Sequence, residues 1–298
     1  YEYEVGLAFN IIGLLQMDKC GINTQAQKEL VLKNAKEHFN DDVIKQLDKI
    51  LEPHYLGWET PEYEQQTTDK NIIVYNHRPH TYKNYPWFLE QMDKLYEQRQ
   101  DFEVWVPLAD KKEKDYMTID KYDRFGYFSK LSSCKVGVCC KQKYEGWAVS
   151  ATDGMSVGVP YMFSDDGSYH ELADEAGIYY KGSDDFLKLM NKALDDKEFR
   201  NEYSEKSLQR FKDSKWEKQI QRINDTFNTA ISNFRPIKET ESYNKIVEFI
   251  RTKKSVTKNE ILLHMGWGVR IGFTTYRNRL RNEKDIKFTK NRYEVINK

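Results

Sequence analysis

The chain has 298 residues, a formal net charge of zero at pH 7, 39% hydrophobic residues and 32% charged residues. This composition is typical of a globular protein rather than a disordered one, and the length allows two or three domains. No apolar run approaches the roughly 20 residues that a membrane-spanning helix needs, and no signal peptide is visible. We therefore expect a cytoplasmic protein that makes no membrane contact.

The cysteines indicate a reducing compartment. Cys20, Cys134, Cys139 and Cys140 lack the CxxC spacing of common metal sites. The last three lie in or beside an apolar strand pattern. We favour buried, reduced thiols over a metal site.

The zero net charge conceals an uneven distribution along the chain. Residues 236–298, here called the basic tail, carry 15 Lys and Arg against 7 Asp and Glu, which gives +8. The remainder carries 32 against 40, which gives −8. A basic tail on an acidic body indicates a polyanionic partner for the tail, although a merely solvated surface would have the same charge.

The first 62 residues predict mainly helices. The predicted elements are a helix over 5–17, a short buried strand and turn over 18–24, a helix over 24–36 and a helix over 41–51. Thr24 is a suitable N-cap, and the proline-containing polar segment 53–70 is typical of a linker. Because the chain begins at Tyr1 with a pattern typical of the middle of a domain, we expect the first 62 residues to be the end of a longer N-terminal domain.

From Asn71 onward, short apolar runs alternate with helical segments. Strands are predicted at 71–75, 102–106, 135–140, 160–163 and 177–180, and helices at 86–98, 127–131, 147–155, 169–174, 184–195, 198–211 and 216–233. Strands that alternate with helices at this spacing form βαβ units on a parallel sheet. The fold class is therefore predicted to be α/β.

The basic tail has a different pattern. Helices are predicted at 242–252, 258–265 and 273–282, followed by a hairpin with strands at 286–289 and 292–296. Thr257 and Glu260 have the spacing of a capping box. Three helices and a hairpin in about sixty residues are typical of a winged helix-turn-helix.

Two pairs of charged residues indicate a binding site. Glu145 and Asp153 are eight positions apart, and a helix between them would keep both acids on one face. Arg78 and Lys83 follow a predicted strand, at the end where parallel sheets bind ligands, and this pair of cations could hold a diphosphate. Taken alone, two cations in a loop are more often solvated surface side chains than ligand contacts.

Several segments occur in the order and at the spacing of one enzyme family. They are Arg78-x4-Lys83, the run 144–155 with Gly158-Val159-Pro160, the run 164–172, Ala176-Gly177-Ile178-Tyr179 and Ser214-Lys215-Trp216-Glu217. From about Asn71 to Ile231 the chain resembles the donor half of retaining GT-B glycosyltransferases of the large family 4 group. The pattern is similar to that of sucrose- and trehalose-forming enzymes and bacterial wall transferases. The resemblance implies a GT-B fold with a Rossmann-like parallel sheet that binds a nucleotide sugar.

The resemblance assigns roles to particular residues. In that family the first loop holds the nucleotide diphosphate, here through Arg78 and Lys83. The first acid of the E-x7-E motif, here Glu145, contacts the donor sugar. The second acid binds the ribose hydroxyls and is Asp153 here, one methylene shorter than the usual Glu. Glu145, Arg78 and Lys83 are the catalytic residues that the resemblance implies.

Further donor contacts are implied around two glycines. The backbone amides of Gly146, Trp147 and Ala148 would face the sugar and phosphates, and Trp147 is the aromatic residue expected to approach the sugar. Gly167 would allow the phosphates to come close to the backbone. Ser168 stands where the family usually has a second small residue.

The resemblance also implies co-substrate and domain organisation. The co-substrate would be a nucleotide sugar, UDP-glucose being the first choice, with no metal required and the anomeric configuration retained. Most of the acceptor site would lie in an N-terminal domain of which this chain keeps only the end. We therefore expect an acceptor-domain remnant with a linker over 1–62, a nucleotide-sugar-binding domain over 63–235 and a winged-helix-like DNA-binding domain over 236–298.

In a winged helix, the third helix enters the major groove and the wing contacts the DNA backbone. The residues expected to bind DNA are Arg270, Thr275, Arg277, Arg279, Arg281, Lys287, Lys290 and Arg292. The domain combination predicts a bacteriophage-type enzyme that adds a sugar to hydroxymethylated pyrimidines of double-stranded DNA in the host cytoplasm. Two alternatives stay open. One is a transferase that acts on a cell-wall, lipid or protein acceptor, with the basic tail as a docking module, and the other is a non-enzymatic, nucleotide-sensing DNA-binding protein.

Overall fold

A computed structural model describes residues 10–11, 13–15, 17–142, 146–233, 241–264, 280, 283–289 and 292–296. The chain divides into two compact units, Tyr1–Asn228 and Thr229–Lys298. The predicted border between residues 235 and 236 falls outside the described residues and stays a prediction.

The first unit opens with a small two-stranded layer. Its elements are β1 (Cys20–Ile22), α1 (Gln25–Lys36), α2 (Asp41–Ile50) and β2 (Leu51–Pro53). The two strands pair in parallel, and Thr24 caps α1 by accepting a hydrogen bond from the Gln27 amide, as the sequence predicts. Because of Pro53, the sequence predicts a linker where the structure has the end of β2. Proline is tolerated in an edge strand. Within the helix predicted over 5–17, residues 10, 11, 13 and 14 are helical.

The main layer of the first unit is a six-stranded sheet. Its strands are β3 (Asn71–Val74), β4 (Phe102–Trp105), β5 (Met117–Thr118), β6 (Val136–Cys139), β7 (Tyr161–Ser164) and β8 (Gly177–Tyr180). They are ordered β5-β4-β3-β6-β7-β8, and all neighbouring pairs are parallel. This is the doubly wound order, which reverses direction between β3 and β6. The predicted α/β fold is confirmed, with β5 as a strand that the sequence does not indicate.

Helices follow these strands along the chain. They are α3 (Tyr85–Gln98), α4 (Arg124–Ser132), α5 (Val149–Ser156), α6 (Gly167–Ala173), α7 (Gly182–Asp195), α8 (Lys197–Asp213) and α9 (Trp216–Asn233). The bounds of α9 are those predicted. The helix α4 begins earlier than predicted, because the Asp123 side chain accepts a hydrogen bond from the Gly126 amide and caps it.

Apolar clusters cover both faces of the sheet. Because side chains alternate along a strand, Ile73 of β3 joins one cluster, whereas Ile72 and Val74 join the other. Ile73 shares its cluster with Phe88 of α3, and the opposite cluster includes Met155 of α5. Strands buried on both faces have nearly continuous apolar sequences, which explains why these short runs are recognisable as strands.

The second unit contains a three-stranded antiparallel sheet. Its described elements are α10 (Glu241–Lys253), β9 (Ser255–Thr257), α11 (Lys258–His264), β10 (Ile286–Thr289) and β11 (Arg292–Val295). The predicted hairpin is confirmed, and β11 also pairs with β9. Glu260 accepts hydrogen bonds from the Thr257 amide and hydroxyl, as a capping box requires. The predicted third helix lies outside the described residues except for Leu280, which is helical and buried.

Candidate functional site

The loop after β3 lies where the strand order of the sheet reverses, and open parallel sheets bind ligands at this point. Both cations predicted to bind phosphate belong to this loop. Arg78 is exposed, and Lys83 is half-buried in a 3-10 turn that ends at Asn84, whose φ of 56° is left-handed. The Tyr75 hydroxyl donates a 3.0 Å hydrogen bond to the Lys83 carbonyl and fixes the far end of the loop. The topology therefore places the loop that contains Arg78 and Lys83 at the switch point.

His77 ties the same loop to the neighbouring elements. Its ring nitrogens lie 2.9 Å from the Cys139 sulfur of β6 and 2.8 Å from the Ser150 hydroxyl in the first turn of α5. Burial, with a smaller contribution from the Lys83 cation, lowers the pKa of His77 to about 3. The imidazole is therefore neutral near pH 7, and it links the loop to β6 and α5. Nothing in the sequence distinguishes it from an ordinary loop histidine.

Asn76 extends this tie into a polar network beneath the loop. Its amide donates hydrogen bonds to the Tyr127 hydroxyl at 2.9 Å and to the Ser150 carbonyl at 2.6 Å. Its carbonyl oxygen accepts one from Tyr161 at 3.0 Å, and the Tyr127 hydroxyl donates to the Asp153 carboxylate at 3.3 Å. Because buried polar groups are costly when unpaired, this network holds the β3 loop, α4 and α5 in one arrangement.

The carboxylate of Asp153 is part of this buried network. Burial raises the pKa of Asp153 to about 6, and the hydrogen bond from Tyr127 opposes that rise. Through this hydrogen bond the carboxylate contacts Tyr127 of α4. Its predicted contact with ribose stays a prediction.

The helix that carries Asp153 begins later than predicted. The first residue of α5 is Val149 rather than Trp147, so the segment from Gly146 to Ala148 belongs to the connection from β6. Glu145 lies outside the described residues. Its sugar contact and its position relative to Asp153 therefore stay predictions.

Trp147 packs inside the protein. Its side chain is 8% exposed and stacks on Tyr55, with ring centroids 5.6 Å apart and planes at 20°. The ring belongs to the core that joins the N-terminal segment to the sheet, and its predicted approach to the sugar stays a prediction. The predicted contacts of the Gly146, Trp147 and Ala148 amides stay predictions.

Gly167 and Ser168 line a cleft of about 470 Å³, here called the α1 cleft. One wall consists of Ile22, Ala26, Gln27, Leu30 and Val31, and the other of Gln142, Asp166, Gly167, Ser168 and Tyr169. A Cβ atom at Gly167 would lie 3.5 Å from the Ala26 Cβ, which is ordinary contact. With one largely apolar wall and one largely polar wall, the α1 cleft suits a ligand that has both kinds of surface.

A second cavity, of about 400 Å³, opens at the carboxyl ends of β7 and β8. Its lysines are paired with carboxylates. Lys141 lies 3.6 Å from Asp166, and Lys181 lies 3.0 Å from Asp165. An anion in this cavity would therefore have to compete with Asp165 and Asp166 for these two lysines.

Two of the predicted DNA-binding residues fall within the described part of the basic tail. Lys287 is exposed on β10. Arg292 donates hydrogen bonds to the Ser255 hydroxyl at 2.8 Å and to its carbonyl at 3.1 Å, and it lies 3.6 Å from Glu260. Arg292 therefore joins β11 to β9, and a phosphate would have to compete with these contacts. The remaining predicted DNA-binding residues lie outside the described part of the chain: Arg270, Thr275, Arg277, Arg279, Arg281 and Lys290.

The described residues contain no group of three or more His, Cys, Asp or Glu side chains that could hold a metal ion. No helix among them is long and apolar enough to cross a membrane. Cys134, Cys139 and Cys140 are buried and outside any disulfide, as predicted. Burial raises the pKa of Cys134 and of Cys140 to about 12, so both stay thiols near pH 7.

The six-stranded parallel sheet is similar to the Rossmann-like half of solved structures with a GT-B fold. A mutant of Staphylococcus aureus TarM in complex with Fondaparinux, α-GlcNAc-glycerol and UDP matches with a TM-score of 0.61 and 13% identity over 74% of this chain and 46% of that chain. Sucrose-phosphate synthase from Thermosynechococcus elongatus matches with a TM-score of 0.60 and 13% identity over 78% and 63% of the two chains. The trehalose-phosphate synthase of Burkholderia vietnamiensis gives 0.55 and 8% over 72% and 60%.

This chain spans only about half to two thirds of the length of those solved structures. No protein-family model and no curated protein sequence matches it. At such low identities the similarity shows the fold alone.

Proposed function

We propose that this chain is the donor-binding part of a glycosyltransferase that moves a sugar from a nucleotide sugar, with UDP-glucose as the first candidate, to an acceptor with retained anomeric configuration. One observation carries the proposal: Arg78 and Lys83 share the loop at the switch point, and His77 ties that loop to the first turn of α5. The UDP bound to S. aureus TarM supports a uridine nucleotide as the donor carrier.

The proposed chemistry follows from where charge develops. As the bond to the sugar breaks, negative charge accumulates on the departing diphosphate. The guanidinium of Arg78, the ammonium of Lys83 and the N-terminus of α5 stabilise that charge as it forms. These groups supply the positive charge themselves, so the step needs no metal. Glu145 would hold the sugar.

For the acceptor we propose double-stranded DNA that carries hydroxymethylated pyrimidines, as in a bacteriophage-type modifying enzyme. The basic tail has a charge of +8, and its described part combines two helices with a hairpin on which Lys287 is exposed. Cations on such elements neutralise phosphates. Because a base is stacked within the duplex, the modified base would have to be distorted or flipped out to reach the donor.

A cell-wall, lipid or protein acceptor is the second candidate. The internal hydrogen bonds of Arg292 favour it, since they remove one cation from the surface that would bind phosphate. The basic tail would then be a docking module.

The test is mass spectrometry of hydroxymethylated duplex DNA after incubation with the full-length protein and a panel of nucleotide sugars. Unmodified duplex of the same sequence is the control. We expect a mass increase of one sugar on the hydroxymethylated duplex alone. Consumption of a glycan or lipid acceptor with no change in the DNA supports the second candidate instead. UDP binding and a DNA gel shift without any donor turnover indicate a non-enzymatic, nucleotide-sensing protein.

A further inference from the structure

The carboxylate of Glu171 in α6 holds the first turn of α1. One oxygen accepts a hydrogen bond from the Gln25 amide and the other accepts one from the Ala26 amide, each at 2.7 Å. Amides in the first turn of a helix have no acceptor within the helix, and the helix dipole favours an anion there. Both bonds are therefore charge-assisted and stronger than bonds between neutral groups.

The same carboxylate also reaches the segment after β2. The Tyr55 hydroxyl donates a 3.0 Å hydrogen bond to Glu171, and the Tyr55 ring stacks on Trp147. Gln27 of α1 packs so closely on Gly146 that a Cβ atom there would lie 1.9 Å from its amide nitrogen. These contacts form a closed ring: Glu171 to α1, α1 to the Gly146–Trp147 segment, and that segment through Tyr55 back to Glu171.

The backbone of Glu171 is itself anchored on its other side. Arg210 of α8 donates hydrogen bonds to the Glu171 carbonyl at 2.6 Å and to the Leu172 carbonyl at 2.9 Å. Because α6 is fixed in this way, the carboxylate restrains α1. Glu171 lies one helical turn after Gly167 and Ser168, so the restraint acts directly on the α1 cleft.

We propose that Glu171 is a positioning residue that fastens the α1 wall of this cleft to α6 and so keeps the cleft in its nucleotide-binding arrangement. The kinetic part of the proposal rests on the proposed function. Without the carboxylate, the wall is displaced in a fraction of the molecules, and the apparent dissociation constant rises in inverse proportion to the fraction that stays competent. Once ligand has bound, the arrangement is restored. The loss therefore appears in KM and leaves kcat unchanged.

The first experiment needs no ligand and no activity. Amide hydrogen exchange is measured on Glu171→Gln, whose side chain offers one acceptor oxygen in place of two. We expect exchange in the first turn of α1 to accelerate about tenfold, the effect of losing a charge-assisted hydrogen bond. Glu175→Gln, an exposed acid just after α6, is the matched control and is expected to exchange like the wild type. Unchanged exchange in Glu171→Gln overturns the proposal, whatever the activity of the protein.

Tyr55→Phe keeps the inference testable if Glu171→Gln does not fold. This variant removes one hydrogen bond to Glu171 and retains the ring that stacks on Trp147. We expect exchange in the first turn of α1 to accelerate about threefold. This is less than in Glu171→Gln, because the hydrogen bonds from the Gln25 and Ala26 amides remain. Exchange equal to that of the wild type contradicts the proposal.

The second experiment is calorimetric titration with UDP, followed by steady-state donor turnover. For Glu171→Gln we expect the Kd for UDP and the KM for the donor to rise about tenfold, with kcat within about twofold of the wild type. Saturating UDP should return the exchange in α1 to the wild-type rate. A lower kcat at unchanged KM overturns the positioning role. A wild-type protein that does not bind UDP contradicts the proposed function, whereas the ligand-free exchange still decides whether Glu171 restrains α1.

Discussion

The two units of the molecule use their cations in different ways. In the first unit, Arg78 and Lys83 belong to one loop at the carboxyl edge of the sheet, with Arg78 exposed and Lys83 half-buried. In the second unit, Arg251 pairs with a carboxylate at 2.8 Å, and Arg292 is bonded to Ser255. The charge of +8 on the basic tail therefore overstates what is available to a polyanion. Charge summed along a sequence predicts a partner only to the extent that folding leaves the cations unpaired.

The two units also differ in what fixes the positions of their cations. The first unit positions its two cations through a buried network of His77, Asn76 and Tyr127, so their location depends on the sheet topology. Lys287 is instead an exposed residue of β10, whose position depends on its pairing with β11. We therefore expect substitutions in the first unit to have larger effects on ligand binding and stability than substitutions in the second.

Removal of both loop cations should give the largest effect. We expect Arg78→Ala combined with Lys83→Ala to weaken UDP binding about 100-fold, roughly 2.7 kcal/mol, because two charge-assisted contacts to phosphate are lost. Isothermal titration calorimetry measures the change. Lys112→Ala, at an exposed loop position, and Lys287→Ala in the second unit are the controls and should bind UDP like the wild type. Wild-type affinity in the double variant would remove the proposed distinction between the two units.

The network beneath the loop should be sensitive to added volume. A Cβ atom at Gly154 would lie 2.2 Å from a ring carbon of Tyr161, a fully buried residue bonded to Asn76. We expect Gly154→Ala to lower the free energy of unfolding by about 2 kcal/mol, measured by urea denaturation. Gly167→Ala is the matched control, because its Cβ meets only an ordinary contact at 3.5 Å. Equal stability of the two variants would show that the network tolerates displacement.

Asp153 should make stability depend on pH. Folding raises the pKa of its carboxyl from 3.8 to about 6, so the folded state binds a proton more tightly than the unfolded state. Stability therefore falls as the pH rises through that window and is constant above it. Asp153→Asn keeps an acceptor for the Tyr127 hydroxyl and removes this decrease of stability with rising pH. Relative to the wild type, it should gain about 1–2 kcal/mol between about pH 4 and about pH 7 in urea titrations.

The same variant separates two roles of Asp153. If the carboxylate acts only within the network, Asp153→Asn binds UDP with wild-type affinity at pH 7. A marked loss of UDP affinity, with stability changing as expected, would instead assign the residue to the ribose. If the stability of the variant and that of the wild type depended on pH in the same way, the result would contradict the raised pKa of Asp153.

The smallest effects are expected in the second unit. Lys287→Gln should reduce the salt dependence of DNA binding by about one phosphate contact and leave stability within about 0.5 kcal/mol of the wild type. Arg292→Gln should lower stability by about 1 kcal/mol, because it removes the hydrogen bonds to Ser255. Gel shifts over a range of salt concentrations and urea unfolding measure the two quantities. The reverse pattern would mean that Arg292 is the residue that contacts phosphate.

Local pattern predicts most of the elements in this chain. The strand from Gly177 to Tyr180, the helix from Trp216 to Asn233 and the Thr24 cap are all recognisable, because apolar periodicity and capping are properties of neighbouring residues. The short strand β5, at Met117–Thr118, is not, because its pairing with β4 depends on residues distant in sequence. The α/β fold follows from alternation, whereas the order of the strands comes from tertiary packing.

The sequence predicts Arg78 and Lys83 as phosphate-binding residues from a motif, and the strand order shows only that their loop lies at the switch point. The resemblance points to Trp147 as a donor contact, but no local signal predicts that its ring stacks on Tyr55 in the core, because Tyr55 is distant in sequence. No local signal marks the role of Glu171, because its partners Gln25 and Ala26 lie 146 and 145 residues earlier in the chain.

The contacts around Trp58 have a consequence for engineering this fold. The Trp58 amide donates a 2.8 Å hydrogen bond to the Ser214 carbonyl, Trp58 forms a parallel bridge with Lys215, and a Cβ atom at Gly57 would lie 2.6 Å from the Cα of Trp216. The polypeptide therefore enters and leaves the sheet layer at adjacent positions. Segments whose ends meet can be exchanged or circularly permuted with little disturbance to what flanks them. The segment between these two junctions could therefore be exchanged for the corresponding segment of a related fold with little disturbance to the residues on either side.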